Sequence, residues 1–261
     1  MRSISAVLVA ALAVPAATLL AQTPQANHMH ALRYVPPYVQ AAVADSARGN
    51  DASNDARRKI TDVMVFSEVK PGEKVLELIP GSGYFTRVFS DIVGAKGHVY
   101  ALWPDEYLKV DGDEFAPFQK LVADPHYSNV SVLKQPAAQL SVPEPVDIVF
   151  TSQNYHDYPD KFMGKVDPVA FDKQVYNALK PGGLFIVIDH VAPAGSGMAD
   201  TDTLHRIDPA IVKKQVESVG FVYAGESNAL RNPNDPHTLK VFDKSIRGHT
   251  DQFMYRFRKP G

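Results

Sequence analysis

Short apolar runs alternate with amphipathic segments along most of the chain. The apolar runs predict strands over 74–79, 97–102, 129–134, 146–151, 183–189, 221–226 and 252–258. The amphipathic segments predict helices over 55–66, 84–92, 168–179 and 209–219, and residues 104–118 are predicted to form a loop with a short helix. Strands that alternate with helices are typical of a parallel sheet covered on both faces. The pattern therefore predicts an α/β, doubly wound domain.

The first residues have the pattern of a secretory signal. Arg2 supplies a positive charge, and the apolar run 6–20 has the length of a signal core and is interrupted by Pro15. We therefore expect a signal peptide over 1–21, with the alternative of a buried N-terminal helix. The protein would then be periplasmic or secreted, with no membrane segment after cleavage.

The rest of the chain divides into two predicted parts. Residues 22–54 form a polar, proline-containing leader with a possible short helix at 37–47, and residues 55–261 form the main domain. The chain has 261 residues, which suits one domain of this size. It has no cysteine, so we expect neither disulfides nor a lipid anchor.

Charge and composition exclude one class of partner. The formal net charge is −2, and no run of basic residues is long enough to follow a phosphate backbone. We therefore expect no nucleic-acid partner.

A strand, a glycine loop and a helix follow one another within residues 70–86. The strand over 74–79 ends in Pro80-Gly81-Ser82-Gly83, and a helix begins at Tyr84. This order places backbone N–H groups and a helix N-terminus against a nucleotide-like ligand. Glu77 lies near the carboxyl end of the strand, where ligands of open α/β sheets bind.

This segment and two others carry a family resemblance. Val-Asp-Ile-Val-Phe at 146–150 and Leu-Lys-Pro-Gly-Gly-Leu-Phe-Ile-Val at 179–187, together with Glu-Leu-Ile-Pro-Gly-Ser-Gly at 77–83, resemble class I S-adenosylmethionine-dependent methyltransferases. More narrowly, the chain resembles an exported bacterial branch of predicted methyltransferases with Glu-x-x-Pro-Gly-x-Gly-x-x-Thr. The resemblance covers roughly residues 55–258. It implies a seven-stranded Rossmann-like sheet, mostly parallel, with an antiparallel last strand.

The resemblance also implies a cofactor and its binding residues. The cofactor would be S-adenosyl-L-methionine, and the acceptor would be a small molecule. The corresponding cofactor-binding positions are Glu77, Gly81, Ser82, Gly83, Tyr84 and Trp103.

Three positions depart from the family pattern. Ile79 replaces the first glycine of the loop motif, and Trp103 occupies the position of the carboxylate that binds the ribose. The third strand ends in 134–137, Lys-Gln-Pro-Ala, without the usual acidic residue for the adenine. The methionine end of the cofactor thus keeps its expected contacts, whereas the adenosine end lacks both carboxylates.

Polar side chains follow the fourth and fifth predicted strands. Because carboxyl ends of parallel strands meet at one edge of a sheet, these side chains should converge on the glycine loop. The candidate catalytic residues are Asn154, Tyr155, His156, Asp157, Asp189 and His190. The family contacts its substrates after strand four, at the positions of Asn154 and Tyr155. Imidazole suits removal of an acceptor proton at neutral pH, so His156 is the first candidate for the base, oriented by Asp157 or Asp189.

Other interpretations of the same residues stay open. With His205, the cluster could hold a metal in a metal-dependent hydrolase or oxygenase, although no tight histidine pair or cysteine supports one, and we predict no metal. A non-catalytic ligand-binding protein on a methyltransferase scaffold would instead have Ile79, Trp103 and Pro136 in the adenosine space. The run 57–59, Arg-Arg-Lys, either faces solvent or holds an acidic substrate group over the cleft.

Overall fold

The architecture is a single sheet of mostly parallel strands. In the computed structural model, which describes residues 34–261, seven strands lie in the order β3-β2-β1-β4-β5-β7-β6. They are β1 (Lys74–Leu78), β2 (His98–Pro104), β3 (Val130–Gln135), β4 (Val146–Ser152), β5 (Leu179–His190), β6 (Val222–Glu226) and β7 (Gln252–Arg258). Strand β7 runs antiparallel to β5 and β6. The predicted seven-stranded, Rossmann-like fold is confirmed.

Helices cover both faces of the sheet. They are α1 (Pro37–Val43), α2 (Asp55–Arg58), α3 (Ile60–Ser67), α4 (Tyr84–Val93), α5 (Tyr107–Val110), α6 (Phe115–Val122), α7 (Pro168–Ala178), α8 (Thr201–Leu204) and α9 (Pro209–Ser218). Among the described residues, none of these helices has the length and apolar character that crossing a membrane requires.

The same sequence signal starts two of the covering helices. In α7 and α9 an aspartate precedes a proline at the first helical position. Asp167 accepts a hydrogen bond from the Ala170 N–H at 2.7 Å, and Asp208 accepts one from the Ala210 N–H at 2.9 Å. Such caps satisfy N–H groups that have no partner inside the helix.

Alternation along the strands divides the core into two layers. In β2, Ala101 and Trp103 pack with α4 and α6 on one face, whereas Tyr100 and Leu102 pack on the other. This follows from the two-residue period of a strand. The direction in which a side chain at a strand end points thus decides whether it is buried in one of these layers or can reach the cleft.

The N-terminal boundary differs from the expectation. The signal segment 1–21 and the leader up to residue 33 lie outside the described residues. The compact unit begins at Val35, and α1 buries Val39 and Ala42 in its core. The described part of the predicted leader therefore packs with the domain.

Two predicted segments have a different local structure. The single helix expected over 55–66 is interrupted at Lys59, whose φ of 50° is left-handed, so α2 and α3 are separate helices. The segment after β2, expected to be a loop with one short helix, contains both α5 and α6. Both differences change what lines the cleft.

A buried ion pair anchors the long segment between β6 and β7. Arg206 donates two hydrogen bonds to Asp235, at 2.9 and 3.0 Å, and both side chains are fully buried. Arg206 also donates to the carbonyls of Val191 and Leu239. This guanidinium therefore ties the end of β5 to a loop that borders the cleft.

We predict that Arg206→Met lowers the free energy of unfolding by about 3–5 kcal/mol, because it leaves the Asp235 carboxylate buried without its partner. Denaturant unfolding followed by circular dichroism measures the change. Lys180→Met is the control, since the Lys180–Asp147 pair is partly exposed and such pairs contribute about 1 kcal/mol or less. Equal losses in the two variants would contradict the anchoring role.

Candidate functional site

A cleft opens where the carboxyl ends of β1 and β4 lie side by side. The two strands pair in parallel, and Glu77 is opposite Phe150. The cleft has a volume of about 740 Å³ and extends from Glu77 and Gly81 to His156. This volume is typical of a site for a drug-sized molecule.

Glu77 is a buried carboxyl group at the closed end of this cleft. It is 2% exposed, and the Thr86 hydroxyl donates a hydrogen bond to Glu77 Oε2 at 2.6 Å. Burial raises the pKa of Glu77 to about 8, against the smaller lowering effects of Thr86 and Arg58. Glu77 is therefore protonated at neutral pH and would lose this proton to solvent when a cationic ligand group binds beside it.

The glycine loop has the backbone conformation that its motif suggests. Gly81 and Gly83 have φ values of 58° and 82°. A Cβ atom on Gly81 would lie 2.8 Å from Glu114 Oε2, so this wall of the cleft is open only because residue 81 is glycine. No side chain among the described residues caps α4, which begins after Gly83, so its first N–H groups can meet an anion.

Ile79 keeps the glycine-like conformation although it is β-branched. Its φ is 50°, a region that costs an L-residue about 1–2 kcal/mol. Its N–H donates to the Leu102 carbonyl at 2.9 Å, and its side chain is 5% exposed within the core. The neighbouring structure therefore holds Ile79 in a conformation that glycine adopts without this cost.

Three predicted cofactor-binding residues do not line the cleft: Trp103, Tyr84 and Gly83, and Gly83 faces Leu121 and Phe118 of α6 instead. Trp103 is fully buried and packs against Phe115 and Phe118, because its position in β2 points to the helical layer. Tyr84 is 2% exposed, and its hydroxyl donates to Asp55 at 2.7 Å. Trp103 and Tyr84 stabilise the walls around the glycine loop. The predicted Ser82 does line the cleft.

Two carboxylates that the sequence analysis missed lie beside the glycine loop. Asp111, after α5, and Glu114, before α6, line the cleft, and Glu114 Oε2 is the atom nearest to the open side of Gly81. Burial raises the pKa of Glu114, and the neighbouring Asp111 adds to this effect. They were missed because they follow β2 by several residues instead of ending it.

Asp189 holds the histidine cluster on the other side of the cleft. Its carboxylate is fully buried at the end of β5 and accepts hydrogen bonds from the backbone N–H groups of His156 and His190 at 2.8 and 2.7 Å. It also accepts one from His156 Nδ1 at 2.7 Å. These bonds fix the ring of His156 and leave its Nε2 atom facing Asp157 and His205.

His156 lies between two carboxylates in this arrangement. Burial by itself lowers the pKa of His156, but the charges of Asp189 and Asp157 outweigh burial and hold that pKa well above its usual range. The two carboxylates thus favour the charged form of the imidazole, and the role of His156 as a general base stays a prediction.

The remaining candidates are divided between the cleft and the core. Asn154 lines the cleft, and its side chain lies 3.4 Å from Asp157. Tyr155 is buried in the core, where its hydroxyl donates to Asp172 at 2.9 Å. His190 borders the cleft, contacts the Thr250 hydroxyl at 2.8 Å, and has its pKa lowered to about 3 by burial. His205, outside the catalytic set, lies in the cleft.

Arg58 connects this cleft to a second, cationic cavity. Its guanidinium lies over the rings of Tyr84 and Phe85, at 4.3 and 4.5 Å, and burial lowers its pKa. The second cavity has a volume of about 380 Å³ and also contains Arg57 and Arg231. Of the two interpretations of the basic run, Arg58 thus fits a place over the cleft.

Comparisons with known proteins identify methyltransferases of similar sequence. The family model of protein-L-isoaspartate(D-aspartate) O-methyltransferase matches residues 17–112. The ubiquinone/menaquinone biosynthesis C-methyltransferase UbiE of Vibrio vulnificus is 29% identical over 189 residues, which are 71% of this chain and 62% of that protein. The chain therefore spans somewhat less than two thirds of this relative.

Solved structures show the same fold. A SAM-dependent methyltransferase from Aquifex aeolicus has a TM-score of 0.54 at 18% identity and covers 87% of this chain and 99% of its own. The [4+2]-cyclase SpnF has a TM-score of 0.59 at 15% identity and covers 85% and 93%. A fold of this kind thus does not fix one reaction.

The strand order, the glycine loop behind Glu77 and the sequence matches agree with one another. Together they support placing the chain among the class I S-adenosylmethionine-dependent methyltransferases, which it resembles in fold and in sequence.

Proposed function

We propose that this protein transfers a methyl group from S-adenosylmethionine to a small molecule. The observation that carries the proposal is the open cleft at the β1–β4 edge, which reaches the buried carboxyl of Glu77 past the glycine loop. The polar groups at this end of the cleft fit the methionine part of the cofactor. Glu77 suits the ammonium of its methionine part, and the uncapped start of α4 suits the carboxylate.

The adenosine end of the cofactor has an alternative set of partners. Asp111 and Glu114 offer acceptors for ribose hydroxyls beside Gly81, which supports their use in place of the strand-end carboxylate. Tyr107 and Phe162 add aromatic surface to the same cleft, as a purine requires. The departures at Trp103 and at the end of β3 are thus compatible with cofactor binding.

The chemistry divides between the cofactor and the chain. When bound, S-adenosylmethionine supplies an electrophilic methyl group for an in-line displacement, to which positioning contributes most. The acceptor would enter from the end of β4, where Ser152 and Gln153 border both cavities. Arg57 and Arg58 would bind an anionic group of that acceptor.

The open cleft weakens the main alternative. A binding protein on a retired scaffold would have side chains in the cofactor space, yet Trp103 is in the core and the cleft extends to Glu77. Of the three residues expected to fill that space, Ile79 lines the cleft, whereas Trp103 and Pro136 do not.

We also propose that the protein is exported to the periplasm or the medium. The support is the signal-like pattern of residues 1–21. Cell fractionation and N-terminal sequencing of the mature protein test it, and an intact N-terminus in the cytoplasmic fraction would contradict it.

Isothermal titration with S-adenosylmethionine and S-adenosylhomocysteine tests the function, and we expect both to bind. In Gly81→Val the added side chain enters the cleft, so Kd should rise at least tenfold, on the order of 1.4 kcal/mol or more. Gly197→Val is the matched control: its φ of 59° equals the 58° of Gly81 within a degree, and nothing lies within 4 Å of its Cβ position. Absence of binding by the natural protein at millimolar concentration would overturn the proposal.

We predict that cofactor binding near pH 7 releases a proton from Glu77. Because the pKa of Glu77 is about 8 without ligand, affinity should rise with pH and level off above that value. Titrations in buffers of different ionisation enthalpy measure the proton. Glu77→Gln should bind weakly and lose the release.

The stability of the ligand-free protein should also depend on the protonation of Glu77. The pKa of Glu77 is raised from 4.5 to about 8, so its contribution to stability is complete below 4.5 and is lost as pH rises through 8. Glu77→Gln should remove this loss from the pH profile of the melting temperature. Glu73→Gln is the control, because Glu73 also has a raised pKa but lies at the opposite end of β1. Identical profiles for Glu77→Gln and the natural protein would contradict the assignment.

A further inference from the structure

Three ligand atoms converge on one point in the cleft. His156 Nε2 lies 3.2 Å from Asp157 Oδ1 and 3.4 Å from His205 Nδ1, and the last two atoms are 3.7 Å apart. His205 reaches this place from the end of α8, whereas the other two follow β4. The point opens on the cavity that contains the glycine loop.

These separations are too long for strong hydrogen bonds between the three groups. A charge-assisted N–H···O bond is about 2.7–2.9 Å long, as the His156–Asp189 contact is at 2.7 Å. They are instead the distances expected between ligand atoms that bind the same metal ion. The centre of a triangle with these sides lies about 2.0 Å from each corner, which is the length of zinc–nitrogen and zinc–oxygen bonds.

Asp189 prepares His156 to act as a ligand. By accepting the hydrogen bond of Nδ1, it fixes the ring and leaves Nε2 as the ligand atom, on which a metal ion would replace the proton. A carboxylate behind the imidazole is the usual second contact of a metal-bound histidine. Together Asp157 and Asp189 bring two negative charges into a buried place, and a divalent cation would compensate them.

We propose that His156, Asp157 and His205 bind a divalent transition-metal ion in the acceptor half of the cleft. Two imidazoles and one carboxylate suit zinc, iron(II), cobalt(II) or manganese(II), and the remaining coordination positions face the cavity. This goes beyond the proposed methyl transfer and gives His156 the role of a ligand. It also replaces our sequence-based expectation of no metal, because separate segments supply the three ligands.

Cobalt(II) and zinc(II) binding to the full chain, made without a histidine tag and treated with chelator, tests the site. We expect one tight equivalent and a visible cobalt d–d spectrum. His205→Asn should weaken binding at least 100-fold, and Asn tolerates the left-handed φ of 54° at this position. Asp189→Asn should weaken binding about 10–100-fold, as a residue that positions a ligand.

His126→Ala is the control variant. His126 forms a second three-residue group with Asp45 and Asp91, but its side chain is 39% exposed. Its loss should leave the tight equivalent unchanged. No stoichiometric binding by the natural protein, or equal affinity in His205→Asn, would overturn the site. Since no cofactor is present, neither result bears on methyl transfer, which the cofactor titration tests separately.

Discussion

The parallel pairing of β1 with β4 is the constraint on which the rest of the structure depends. At this pair the strand order reverses, so the connections from β1 and β4 leave on opposite faces and the edge between them stays open. The glycine loop, Glu77 and the histidine cluster all follow from that opening. Strand β5 contributes Asp189 and His190 directly from its end, whereas β6 and β7 contribute through the long segment between them, which Arg206 holds.

Buried charge is distributed unequally across the cleft. On the side of β1, one carboxyl is kept neutral by burial, with a hydroxyl as its close partner. On the side of β5, two N–H groups and an imidazole donate hydrogen bonds to the buried carboxylate of Asp189. One side can thus accept a cationic group only by losing a proton, while the other already holds carboxylates beside the point where a cation would bind.

The sequence predicted the sheet and half of the site. Alternating apolar runs and turn residues placed the strands along the chain, and the family resemblance implied how they assemble into one sheet. The motif itself could not show that Trp103 points into the helical layer, since that depends on strand register. Nor could it show Asp111 and Glu114, which reach the cleft through helices after β2. The approach of His205 to His156 was one of the alternatives that the sequence left open, and the fold shows that these side chains, 49 residues apart, come within 3.4 Å of each other.

Ile79 has a consequence for how the loop meets its ligand. Glycine would adopt this backbone angle without strain and could also change to other conformations easily. Here the hydrogen bond to β2 and the surrounding core hold a β-branched residue at this angle. Little conformational entropy is then left to be lost at this position when a ligand arrives. At this position the loop is rigid before a ligand binds. Selectivity among ligands would therefore come from the shape that the loop already has, not from closure around the ligand.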